Sequence, residues 1–530
     1  MPRQRTEITR PKGINKDLSP FELPPEVWSD GSNVNFRRAR TNRTLGYSEP
    51  FAVGSLGIEP SFVMYYDDTS GNNHWLYCGN SPTGEIRSTD GSTVTNIASG
   101  LSATRSASWS GFNFNGVLIV NNRLDHPRSI SAPYTSAALL PNWASASPWG
   151  VASRCEVMRP YKNYLFALDC YDETGKRYPN MVRWSNPAVL GDIPSGWDPS
   201  VSGDEAGLYS LDDSPGDIKD GLTLGDYFVV YKTDAVWLLQ FVGGDFVFSF
   251  RKLFGRDGGI LSKHCVAEFE GQHFVLGPEG AYVHNGSSKT EVMDKWVKDE
   301  LFLNVNSSYL YETKVVTDYD NKEIWVYYIT DDAVDYGDGP YADKALIWNW
   351  EFQEWTIRDL QDVSFIAQGE VNPNATVTGT DWDSDSATWD SDAERWDGYI
   401  SFNEVTESMV LAGYNNQRLY ADGYVLGNGL YQPEASVKRI GIDFGDDRLF
   451  KYVTRVVPHI IAENDVTIRL YASDTQTSVP TLIEELTFDP SVDHDVDCHL
   501  AGRFIGIEFA STELFTLTGY TLEWEAEGIF

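Results

Sequence analysis

Cysteine is scarce in this chain of 530 residues. Five are present, Cys78, Cys155, Cys170, Cys265 and Cys498, scattered, odd in number and without a Cys-x-x-Cys pair. That pattern argues against a disulfide framework or a zinc knuckle and for synthesis in a reducing compartment. Also missing is any run approaching the ~18 apolar residues of a membrane-spanning helix. The first residues are polar and basic with no apolar segment behind them, so neither membrane insertion nor a secretory leader is expected. Basic residues are the third shortage: 41 Lys plus Arg face 77 Asp plus Glu, a net charge of −36. A chain so acidic lacks the cationic footprint that gripping phosphates requires. Finally, no Gly-x-Ser-x-Gly, Walker A or His-Glu-x-x-His pattern occurs, and Gly258–Gly259 after Asp257 is too short for a phosphate cradle.

What the chain has is a recurrent strand signal. With 41% hydrophobic and 13% aromatic residues it can build packed cores, and its Trp and Tyr excess suits strands. Short apolar runs start at Trp75, Val117, Tyr164, Tyr227, Phe274, Ile324 and Met409, spaced by 42, 47, 63, 47, 50 and 85 residues. Allowing two insertions, this brackets the roughly 40 to 50 residues of a propeller blade. Hairpin signatures support antiparallel meanders: Asp226–Tyr231 with Ala235–Leu239, Gln272–Leu276 with Gly280–Val283, and Ala345–Trp350 with Trp355–Ile357. The expected fold is all-β, a six- or seven-bladed β-propeller over 58–433 with an extended N-terminal arm over 1–57 and a C-terminal β-sandwich over 434–530. Period-two alternation in Val466–Leu470, Phe504–Phe509 and Tyr520–Trp524 motivates the sandwich.

Three segments stand apart from the repeat. The arm is broken by Pro2, Pro11, Pro20, Pro24, Pro25 and Pro50, and residues 1–43 hold nine basic against five acidic residues, about +4. Its Arg37, Arg38, Arg40 and Arg43 are candidates for docking an acidic partner. Ser288 with Glu291 forms a capping-box pattern, and Val292, Met293, Trp296, Val297 and Leu301 share a helical face, predicting a helix over 289–302. An acidic insertion at 372–403 repeats a Trp-Asp-Ser step at Trp382 and Trp389, echoed at Trp396; Asp383, Asp385, Asp390 and Asp392 are its cation candidates, although the EF-hand pattern fails. No metal and no cofactor is expected. Asp493–His499 mixes ligand types, but strand alternation splits them between two faces. Ser88–Val94 resembles a degraded Asp-box turn, too weak to imply glycoside cleavage.

The stretch Gly13–Phe36, the hairpin carrying Trp348, Trp350 and Trp355, the repeated Trp-Asp-Ser-Asp, and the ending Gly502–Ile507 with Leu517–Glu523 together resemble the tail-nozzle proteins of short-tailed bacteriophages, also called tail-hub or packaged-DNA stabilisation proteins. The resemblance implies a structural virion protein without catalytic residues. It would form a homo-hexameric ring below the portal and adaptor, with tail fibre, spike or needle proteins beside or below it, and pass duplex DNA without tight binding. The implied location is the virion, after synthesis in the host cytoplasm. The alternatives are a receptor- or carbohydrate-binding propeller of a fibre or spike, and a propeller glycoside hydrolase.

Overall fold

The computed structural model describes residues 3–80, 83–105, 108–143, 154–244, 246–255, 258–337, 339–371, 406–424 and 433–528. The seven recurrent apolar runs are the second strands of seven antiparallel groups: Asn73–Gly79, Val117–Asn121, Tyr164–Tyr171, Tyr227–Lys232, Gln272–Gly277, Glu323–Tyr328 and Thr406–Gly413. A second strand is hydrogen-bonded on both edges and covered on both faces, so nothing on it needs to be polar. Tyr164–Tyr171 and Glu323–Tyr328 are buried at every position. That is why these runs read as continuous apolar stretches instead of alternating ones.

The first five groups are separate four-stranded sheets, and the last two share one seven-stranded sheet. Sharing is possible because Glu354–Val371 is 18 residues long. Its first part pairs with Ala342–Asn349, and from Val363 onward it pairs with Thr406–Gly413; a register shift and the positive φ of Asp362 mark the change. First strands of successive groups pack together, from Pro60–Asp67 through Ser110–Phe114, Arg154–Tyr161, Ile218–Leu224, Val266–Phe269 and Lys314–Asp318 to Glu354–Val371, which also packs against Pro60–Asp67. The last approach is close. A Cβ at Gly369 would lie 2.5 Å from the Tyr65 side chain, so only glycine fits.

Two further sheets follow. One orders Val496–Gly502, Phe450–Ala462, Phe515–Gly528, Arg40–Arg43 and Val34–Arg37, with Gln4–Thr9 also pairing Phe515–Gly528; the other orders Thr481–Phe488, Val466–Ser473, Phe504–Ser511, Ala435–Ile442 and Asp30–Ser32. The expected extended arm is therefore corrected. Its Gln4–Thr9, Asp30–Ser32, Val34–Arg37 and Arg40–Arg43 are strands of the C-terminal sheets, Lys12–Ile14 and Val27–Trp28 pair with each other in parallel, and Gly46–Ser48 forms the last strand of the seventh group against Arg418–Tyr424. The residues before the boundary at 57 are not an independent piece, because they and the residues after 434 build the same sheets. Proline excludes helix, not short strands between turns. The buried side chains of Ile8, Ile14, Trp28, Val34 and Phe36 supply the reason to fold inward.

The expected helix is corrected as well. Lys289–Glu291 is a strand, and the α-helix runs only over Lys298–Asn304. Asn285 Oδ1 takes the N–H groups of Ser287 and Ser288, closing a turn where a capping box was expected, and Lys295 has positive φ. Met293, Val297 and Leu301 are nonetheless buried, so the apolar residues found a core without a continuous helix. In the C-terminal sheets Val466–Leu470 alternates as expected, whereas Phe504–Ser511 is buried on both faces. Polar neighbours cover its outer face: Glu508 receives Arg469 at 2.9 Å and the Tyr471 hydroxyl at 2.6 Å. The acidic repeat, with Asp383, Asp385, Asp390 and Asp392, lies outside the described residues.

Candidate functional site

The segment Gly13–Phe36 forms a joint between the repeated groups and the C-terminal sheets. Asn15 Nδ2 donates to the Lys295 carbonyl at 2.7 Å, and the Lys16 N–H to the Trp296 carbonyl at 2.6 Å. The helix Lys298–Asn304 has no cap of its own; the Asp17 carboxylate, 281 residues away in sequence, accepts the N–H groups of Lys298 at 3.0 Å and Asp299 at 2.8 Å. Asn33 ties three parts together. Its N–H donates to Ile357, its Oδ1 accepts from the Asp359 N–H, and its Nδ2 donates to the Glu434 carbonyl and the Asp359 carboxylate. Trp28 packs edge-on to Phe509, and a Cβ at Gly13 would meet the Trp355 backbone at 3.1 Å.

One hydrophobic core therefore holds Ile14, Trp28, Val34 and Phe36 from the N-terminal segment, Trp348, Trp350 and Trp355 from the sixth group, and Ile505, Ile507, Leu517 and Tyr520 from the C-terminal sheets. Beside it opens a cleft of about 300 Å³ lined by Lys16, Asp30, Glu300, Lys344, Lys438 and Glu508. Its charges are mutually paired, with Lys16 2.8 Å from Asp30 and 3.5 Å from Glu300. Asp30 and Glu300 together raise the Lys16 pKa in spite of burial, which lowers it. Such a cleft is a latch between two halves rather than an open binding pocket.

The four arginines proposed for docking divide. Arg37 reaches Glu323 at 2.6 Å and Asn321 at 2.9 Å. Arg43 is buried and donates to the carbonyls of Pro433 and Ser511; burial holds its pKa below the usual arginine value. Arg38 and Arg40 are exposed at a hairpin tip, where Arg38 and Ala39 take positive φ, as a two-residue hairpin turn demands. Only these two present guanidinium groups outward.

A buried polar cluster lies beside the first strands of the second, third and fourth groups. Lys263 Nζ donates to the carbonyls of Ser108 at 2.7 Å and Glu156 at 3.1 Å. His264 Nε2 lies 2.9 Å from the Trp109 carbonyl, and the His264 N–H donates to Asp220, which also takes Arg159 in a bidentate pair. Phe365 packs edge-on against Phe62 and His264. Burial pushes Lys263 down to about 8 and His264 well below its ordinary value. Sequence reasoning passed over this cluster; its one legible signal was the polar pair Lys263–His264 directly ahead of a buried strand.

Among the described residues no group of three His, Cys, Asp or Glu side chains is arranged to hold a metal ion. All five cysteines are free and buried. In Asp493–His499, Asp495 and Asp497 pair with Arg455, His499 meets the Tyr452 hydroxyl, and Cys498 faces the core, so the ligand types diverge. Asp90 in the Asp-box-like turn is spent on its own loop: burial would raise its pKa, but bonds from the N–H and hydroxyl groups of Ser92 and Thr93 bring it to about 2.

No family model and no curated protein matches the chain. Solved structures give low-similarity matches. A computationally designed protein, Ika8, is 8% identical, with 71% of this chain and 100% of that one covered at a TM-score of 0.37. Sqt1 of Saccharomyces cerevisiae is 8% identical over 68% and 84% of the two chains at 0.36. An auxiliary nutrient binding protein of Bacteroides thetaiotaomicron is 11% identical over 80% and 77% at 0.30.

Proposed function

We propose that the chain is a structural virion protein, the nozzle or hub of a short phage tail, and that its seven antiparallel groups are the blades of a closed seven-bladed propeller. On this reading Gly46–Ser48, from the N-terminal segment, completes the last blade, and six copies form a ring below the portal and adaptor. Packaged DNA is retained by the ring and later passes through it. The protein itself performs no reaction. Each propeller is plugged by Lys263, His264 and Phe365, so the DNA path runs between copies and not through one chain.

The observation that carries this reading is the joint. Segments that resemble the nozzle family, Gly13–Phe36, Trp348–Trp355, Gly502–Ile507 and Leu517–Glu523, are far apart in sequence yet share one core. Residues in that arrangement lock two halves into a rigid unit, which is what a ring under DNA pressure needs and what a hinged enzyme cleft would avoid. Light scattering and negative-stain images of the purified protein test it. The expected particle is a closed ring with a mass six times that of the chain; a monomer at tens of micromolar, or a trimer of the fibre type, refutes the proposal.

A further inference from the structure

The third group brings two of the five thiols face to face. Cys155, the second residue of the strand Arg154–Tyr161, stands directly opposite Cys170, the last but one of Tyr164–Tyr171. Residues opposed in this way in an antiparallel pair share a face, with Cα atoms about 4.5 to 5.5 Å apart. A disulfide spans Cα separations of about 4.4 to 6.8 Å, so the backbone already has the spacing that the bond requires. Both side chains are buried in one core cluster with Leu165, Ala167 and Trp197. The other three thiols are engaged elsewhere. Cys78 stands opposite Phe62 and Ile86, Cys265 donates to the Thr313 carbonyl at 3.1 Å, and Cys498 donates to the Val453 carbonyl at 3.6 Å.

Their place in the hairpin lets a reagent reach them. The turn joins Tyr161 to Tyr164, and the thiols sit at the far, open end, where only the pair Arg154 and Tyr171 lies beyond them. Strand ends open at far lower cost than whole sheets. Peeling back the start of the first strand breaks the stack of Arg154 over the Tyr171 ring, at 4.4 Å, and the bond from Asn121 Nδ2 to the Cys155 carbonyl, at 3.0 Å. While the end stays closed both thiols are inert: burial pushes Cys170 up to about 12 and Cys155 well above its ordinary value. The Arg183 guanidinium pulls Cys170 the other way, and it favours the thiolate once the end opens.

We infer that Cys155 and Cys170 form a redox staple, two thiols in a reducing compartment and one disulfide when the protein meets a low-molecular-weight disulfide such as oxidised glutathione. One cysteine thiolate attacks a sulfur of the small disulfide and expels the first small thiolate, leaving a mixed disulfide. The thiolate of the other cysteine then attacks the protein sulfur of that bond and expels the second. Two protein thiols are oxidised, one small disulfide is reduced to two thiols, and the protons lost by the cysteines pass to the released thiolates. The new bond ties the first strand of the third group to its second and closes the loop from Glu156 to Asp169, which constrains the unfolded chain. It acts within one chain and is independent of the proposed ring.

The test is exposure of the full reduced chain to oxidised glutathione, alone and in urea below the unfolding transition, with thiols counted after denaturation and cross-links mapped by mass spectrometry of unreduced peptides. The five thiols should fall to three, and one peptide pair should join Cys155 to Cys170. Urea should speed the reaction, and dithiothreitol should reverse it. C155S and C170S should each form no internal cross-link. The oxidised parent should melt at a higher temperature than the reduced parent, whereas C155S/C170S should melt alike under both conditions. Five thiols remaining with and without urea overturn the inference. So does a bridge to Cys78, Cys265 or Cys498 in place of this one, or a parent that stops at a glutathione adduct on Cys155 or Cys170. A complete Cys155–Cys170 bond with no rise in the melt overturns the staple's stabilising role.

Discussion

Acid should weaken this protein through two histidines sealed between the fourth and fifth groups. The Tyr231 hydroxyl lies 2.6 Å from His273 Nδ1 and 2.6 Å from His284 Nε2. His273 Nε2 is 2.8 Å from the Thr223 carbonyl, and the Gly286 N–H donates to His284 Nδ1 at 3.2 Å. These partners dictate every proton. Nε2–H of His273 donates to Thr223, Tyr231 donates to His273, and Nε2–H of His284 donates to Tyr231, with both rings neutral. Burial pushes His273 down to about 4, and burial with the neighbouring His273 pushes His284 down to about 3. Because both folded values lie below that of the unfolded chain, the unfolded state binds more protons as pH falls. Stability is complete above an unfolded pKa of about 6.5 and declines from there toward pH 4 to 3. For His284 alone the loss between pH 7.5 and pH 5 is about 2 kcal/mol, from 1.36 kcal/mol per pKa unit.

Other groups tilt the opposite way. Burial raises Asp169 to about 6 and Glu354 to about 7, so each contributes stability that grows as pH falls. The measurement is therefore a difference: urea unfolding of the parent and of His284→Gln at pH 7.5 and pH 5. Gln keeps a donor for Tyr231 and an acceptor for Gly286 but cannot take a proton. The parent should lose about 2 kcal/mol more than the variant over this interval. Equal losses in the two proteins would show that His284 is protonated, or reached by water, in the folded state, and would refute the neutral relay.

Removing residues 1–43 should leave the C-terminal sheets unfolded or insoluble. Ile14, Trp28, Val34 and Phe36 are buried side chains, at about 1.5–3 kcal/mol each; a soluble truncate with parental strand content by circular dichroism would contradict the joint. Gly259→Ala should cost well over 3 kcal/mol, because its Cβ would fall 1.7 Å from the Thr233 carbonyl oxygen, whereas Gly225→Ala, with nothing within 4 Å, should cost only about 1 kcal/mol for its positive φ. Thermal melts of the two proteins compare them directly. The isolated protein should bind linear duplex DNA negligibly near physiological salt, and weak binding at low salt should fall in R38E/R40E, two arginines exposed at one hairpin tip, and vanish once the other exposed basic residues of the segment, Arg3, Arg5, Arg10 and Lys12, are also reversed to Glu. Submicromolar binding that survives all six substitutions in a mobility titration would reveal another cationic surface.

Strand identity was legible wherever a strand is buried on both faces, because the requirement for apolar residues there is local and continuous. Each run beginning at Trp75, Val117, Tyr164, Tyr227, Phe274, Ile324 and Met409 marks the second strand of its group. The basic segment was misread for a related reason. Its composition is that of a solvated arm, and nothing local announces that Gln4–Thr9 pairs with residues more than 500 positions later, or that Asp17 caps a helix at Lys298. The predicted helix over 289–302 failed because its apolar residues are required by the core whichever backbone carries them. Capping, pairing of the chain's two ends and the buried cluster around Lys263 and His264 are long-range choices. They depend on which unsatisfied backbone or charged group meets which partner once the sheets have packed, and that is decided only in three dimensions.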